Sequence, residues 1–167
     1  MTEPKMFFDT EAELFDCLSK WQKRLGLSDW FIAARLCSES DMKLENAAGE
    51  SEVQHVNMCG MISILRKEDL PNDLLLKQPH EEVLIHELLH FKFITLEPEC
   101  REDVIYEEHQ HQLIELLAKA LFLAEYNLQP NWFIDDNHKY TDNLVQRLDR
   151  LGRLAGITKE AEVKWST

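Results

Sequence analysis

The 167 residues predict an α+β fold in one domain: a short, mainly antiparallel sheet packed on a buried helix, a second long helix, and further helices at either end. Three observations carry this. The length suits one domain with a real core, and the composition, 44% apolar and 29% charged, is that of an ordinary globular chain. Runs with helical spacing flank a middle region of short β-type segments. And the stretch "EEVLIHELLHFKF", residues 81 to 93, is apolar around most of a helix yet carries His86, Glu87 and His90.

The elements follow in chain order. From Thr10 to Leu25, Leu14, Phe15, Leu18, Trp21 and Leu25 recur at helical intervals, with Thr10 and Glu13 placed for a capping box and Gly26 as a stop. "DWFIAARLCS" reads as a strand, and the polar "ESDMKLENAAGESE" as a loop or weak hairpin. "EVQHVNM" and "GMISILRK" predict a strand pair turning at Cys59 and Gly60. Pro79 suits the first position of a helix running to about Ile94, whose first turn holds Glu81 and Glu82. After "TLEPECREDV" comes a long helix, "IYEEHQHQLIELLAKALFLAEYN", stopped by Pro130. "TDNLVQRLDRLGRLAGI" predicts a final amphipathic helix ending near Gly156, and it and the preceding "NWF" are expected to close the core.

Charge and cysteine usage exclude several functions. A net charge of −13 opposes binding to phosphate backbones or anionic lipid, and Arg147, Arg150 and Arg153 fit a solvated helix face better than a basic patch. Neither a nucleic-acid nor a membrane partner is expected. Cys17, Cys37, Cys59 and Cys100 form no CxxC pair, which argues against a cysteine zinc knuckle or a dithiol redox motif. With no signal-peptide pattern and no apolar run of about 18 residues, a cytoplasmic protein is expected.

The chemistry is concentrated in "HELLH". Positions four apart share a helix face at about 6 Å, so His86 and His90 can present two imidazoles to one ion. Glu87, about 100° further round, lies where it can reach a metal-bound water as general base. Buried, this polar trio needs ion pairs, hydrogen bonds or a metal. A catalytic zinc takes a third protein ligand, and Glu107, Glu108, His109, His111 and Glu115 all lie within reach on the next helix. Counting back along the apolar stripe from Leu121 through Ala118 and Ile114 reaches His111 and then Glu107, and turns Glu108 and Glu115 toward solvent.

"HELLH", followed by a helix with a ligand ahead of "LAKAL", resembles the small gluzincin-like metallopeptidases of phages and mobile elements, the ImmA/IrrE type. The resemblance covers roughly residues 50 to 125. It implies a zincin-like domain, a Zn2+ cofactor and hydrolysis of a peptide bond in a specific, regulatory protein substrate. It also implies a third ligand seven residues before an alanine of the second helix; seven before Ala118 is His111, where the family has glutamate. Either His111 completes a three-histidine site, or Glu108 or Glu107 restores the two-histidine, one-glutamate set. In such peptidases the strand before the helix lines the cleft, the place held here by "GMISIL", where an extended substrate could pair. Two alternatives stand beside this one: a zinc-bound interaction or inhibitor module with little hydrolysis, and an SprT-like peptidase, which also uses a third histidine. Tyr106, His109 and Tyr126 are the nearest oxyanion candidates; His55, His80 and His138 read as structural or solvent-facing.

Overall fold

A computed structural model describes residues 3–70, 78–94 and 104–133, with side chains from residue 108 in the last segment. The predicted final helix, with Arg147, Arg150 and Arg153, lies outside the described residues, as do Cys100, His138 and the side chains of Tyr106 and Glu107. Within them the fold is α+β: three α-helices and one three-stranded sheet.

Helix α1, Glu11–Arg24, starts at Thr10, whose side chain accepts the Glu13 N–H. The reciprocal half of the capping box is displaced by one residue: the Glu13 carboxylate accepts from the N–H of Asp9 instead of Thr10. Gly26 follows the helix with φ +67°, the left-handed conformation that ends helices most cheaply in glycine. Leu14, Cys17, Leu18 and Trp21 form the buried stripe.

Strands β1, Phe31–Cys37, β2, Gly49–Gln54, and β3, Cys59–Leu65, form a sheet in the order β1-β3-β2. β2 and β3 pair antiparallel, as expected of a hairpin, but β1 runs parallel to β3, so the sheet is mixed and not mainly antiparallel. β3 is therefore the central strand, and "GMISIL" is not an edge at which an extended substrate could pair; the edges are β1 and β2.

The hairpin also turns earlier than expected. A single 3-10 turn, His55–Asn57, and Met58 at φ +48° reverse the chain, and Cys59 and Gly60 already belong to β3. Gly60 serves packing instead of turning. A Cβ there would lie 2.2 Å from the Glu52 carbonyl and 2.7 Å from the Phe91 ring, so the missing side chain lets the sheet close on the helix behind it.

That helix, α2, His80–Phe93, is capped by Pro79, one residue outside the first position expected for it. Every residue from His80 to Leu89 is buried, as an all-round apolar helix requires. Ala34, Leu36, Ile62 and Ile64 pack in the same core cluster as Leu84, Ile85 and Leu88. Helix α3, Val104–Tyr126, packs against α2, burying Ile114, Ala118, Phe122 and Leu123. A 3-10 turn, Pro130–Phe133, follows, and Phe133 is fully buried against Phe122, so "NWF" closes the core. Among the described residues, no helix is long and apolar enough to cross a membrane.

Candidate metal centre

Because α2 is buried on every side, its polar residues must meet partners inside the molecule. His86 and His90, one turn apart, point the same way, with their Nε2 atoms 3.3 Å apart. His111 arrives from α3, its ring centroid 4.8 Å from that of His86 and 5.7 Å from that of His90. One ligating nitrogen from each of the three lies within 4.8 Å of the others. The phase count along α3 thus named the histidine that joins the pair, whereas Glu108 is exposed and lies outside this cluster.

The donor set fits a metal ion. Two nitrogens bound at 2.0–2.1 Å and at the tetrahedral angle stand about 3.4 Å apart, close to the 3.3 Å between His86 and His90. The surroundings favour the neutral form of all three imidazoles, in which a lone pair is available. Burial pulls His90 down to about 4, aided by its two histidine neighbours, and lowers His86 and His111 in the same direction. Imidazole nitrogens suit zinc, copper, iron and nickel.

Glu87 sits beside the cluster, 6% exposed. Burial raises its pKa, against the opposing influence of His86 and of a hydrogen bond with Ser51 of β2. The register places Gly49 and Ser51 opposite Ile64 and Ile62, on the sheet face that meets α2. A Cβ on Gly49 would come within 2.6 Å of Val83 and 3.1 Å of Glu87 Oε1, so glycine is what lets β2 pass over the carboxylate.

β2 and α2 wall a cleft of about 500 Å³ that also reaches His111 and Glu115 of α3. Ala47, Ala48 and Val53 line one side, while Glu50, Glu82, Glu87 and Glu115 make the cleft acidic. Glu50 is committed to structure, accepting the N–H groups of Lys43 and Leu44.

One residue beside the site was read only in part from the sequence. Glu115 keeps 43% of its side chain exposed, as its phase predicts, yet its Oε2 also lies 3.1 Å from His86 Nδ1, and it pairs with Lys119. The spacing already held the signal, since Glu115 is one turn from His111 and must share its face. None of the oxyanion candidates with a described side chain lines the cleft. Tyr126 donates its hydroxyl to Glu81, and His109 is exposed. His55 is exposed and stacks on Trp30, and His80 is a core residue.

No protein-family model, curated protein or solved structure matches the chain.

Proposed function

We propose that this chain is a zinc-dependent endopeptidase with a zincin-like arrangement, cutting a peptide bond in a specific protein, with Glu87 as general base. The observation that carries the reading is the meeting of His86, His90 and His111 beside buried Glu87 in a cleft floored by the edge strand β2.

His86, His90 and His111 would hold the ion, which supplies a Lewis acid for the scissile carbonyl and acidifies a water molecule. Glu87 takes the proton of the attacking water on its carboxylate and returns it to the leaving amine. Burial moves the group toward a proton affinity that serves both steps. Ser51 faces the carboxylate from the β2 side and opposes the rise in its pKa. Outside β2 the sheet has no further strand among the described residues, so an extended peptide can add there through main-chain hydrogen bonds, its side chains alternating between the cleft and solvent. Among the described residues Cys17, Cys37 and Cys59 form no disulfide. The net charge of −13 speaks against a nucleic-acid partner, and so against an SprT-like role.

The test is metal content by elemental analysis, together with cleavage of a quenched fluorogenic peptide library. About one zinc per chain is expected. Glu87→Gln keeps the zinc and loses at least about 100-fold in hydrolysis, while His86→Ala loses both. Undiminished cleavage by zinc-loaded Glu87→Gln removes the general-base role. Absence of zinc after supplementation removes the whole reading.

One observation favours a second reading, a zinc-bound interaction module. Among the described residues the cleft is lined by no Tyr, Arg or Lys to steady a developing oxyanion. A module of this kind binds zinc and its partner equally well with Gln at position 87.

A further inference from the structure

Lys119 stands on α3 with only 6% of its surface exposed, and Glu82 on α2 with 3%. Buried ions without partners are among the costliest features a fold can carry, so their arrangement calls for an explanation. Two pairs at one-turn spacing face each other across the α2/α3 interface: Glu82 and His86 on one helix, Glu115 and Lys119 on the other. The Lys119 ammonium pairs with Glu115 and lies 3.8 Å from Glu82 Oε1, an oxygen with no hydrogen-bond partner. Glu115 in turn places Oε2 at 3.1 Å from His86 Nδ1.

We propose that Glu82, Lys119 and Glu115 form a positioning chain that fixes the tautomer and orientation of His86; the inference rests on the reading of His86 as a metal ligand. An ionised carboxylate can only accept a hydrogen bond, so with Glu115 ionised the imidazole nitrogen facing it carries the proton. A neutral imidazole has one N–H, which leaves His86 Nε2 with a bare lone pair on the side where His90 and His111 converge. Lys119 holds Glu115 in place, and Glu82 approaches Lys119 from the opposite helix. An ion pair serving packing alone has no reason to end on the one atom whose protonation decides whether the opposite nitrogen can ligate. Such outer partners typically change metal affinity 10–100-fold when removed.

The chain would be tested on the full-length protein by two measurements. The first is the tautomer of His86 in the metal-free protein, from long-range 1H–15N correlation spectra. The second is the zinc dissociation constant by chelator competition. Wild type is expected to show the Nδ1–H form. Glu115→Ala, at a side chain 43% exposed and so tolerant of truncation, is expected to lose that preference and weaken zinc binding about 10–100-fold. Glu115→Gln, whose amide oxygen still accepts, is expected to retain the tautomer and most of the affinity. Lys119→Met should move both readouts in the direction of Glu115→Ala; should it fail to fold, the Glu115 variants decide the matter. An Nε2–H tautomer in wild type, or no change of tautomer in Glu115→Ala, overturns the proposal. A shifted tautomer in a protein that never binds zinc leaves the positioning chain standing and removes the metal reading instead.

Discussion

His111 and Glu115 stand one turn apart on α3 and both turn toward His86, so one helix supplies a candidate ligand and the carboxylate beside another. Position 111 was legible because the apolar stripe of α3 has a definite phase, and a residue seven before Ala118 must lie near it. Glu115 was not, because a half-exposed carboxylate reads as surface until the facing helix is known. The assignment of His111 has a direct check. Metal retained after dialysis should drop most in His111→Ala and stay at the wild-type level in Glu108→Ala. Full retention in His111→Ala with loss in Glu108→Ala would transfer the third position to the glutamate.

At the scale of elements, the helices were legible and the order of the strands was not. Helical periodicity and the caps are local properties, so Thr10 and Pro79 marked the starts of α1 and α2 to within a residue. Strand order depends on contacts far apart in sequence: nothing in "FIAARLC" says that it pairs parallel with "CGMISIL" and pushes β2 to the edge. Glycine was misread for the same reason. Gly60 suggested a turn, but no Cβ fits there because the Glu52 carbonyl of β2 and Phe91 of α2 approach too closely, just as Val83 and Glu87 of α2 crowd Gly49. Gly49→Ala should therefore destabilise by about 1–3 kcal/mol through overpacking against Val83 and displace Glu87, lowering hydrolysis by more than the stability loss explains. Ser51→Ala, which removes a hydroxyl close to Glu87, should cost only about 1 kcal/mol. Denaturant midpoints of the two variants check the order; an equal or larger loss for Ser51→Ala would contradict the close-packing argument.

Across the whole molecule, α2 is tied to its surroundings by polar groups at its buried N-terminal end. Glu81 accepts from Trp21 Nε1 of α1 at 2.7 Å and from Lys20 and the Tyr126 hydroxyl, joining all three helices. His80 holds the N-terminal segment: its ring Nδ1 accepts the Phe8 N–H at 3.0 Å, and its backbone N–H donates to the Met6 carbonyl at 2.9 Å. The rings of Phe7 and Phe8 enclose it, and burial brings its pKa from 6.5 down to about 4. In the unfolded chain the imidazole binds a proton below pH 6.5, whereas the folded chain refuses it until about pH 4. The stability that His80 contributes is therefore complete above pH 6.5 and declines as the pH falls toward 4, by at most about 1.4 kcal/mol per pH unit. Below pH 4 both states are protonated and this loss levels off. His86, His90 and His111 share the sign in metal-free protein, so the contribution of His80 must be separated from theirs. His80→Asn offers an acceptor near the Nδ1 position and does not titrate. Its unfolding free energy should fall less steeply between pH 6.5 and 4 than that of wild type, both measured with chelator present. Parallel slopes would mean that the clasp on the N-terminal segment survives protonation and that other groups carry the acid sensitivity.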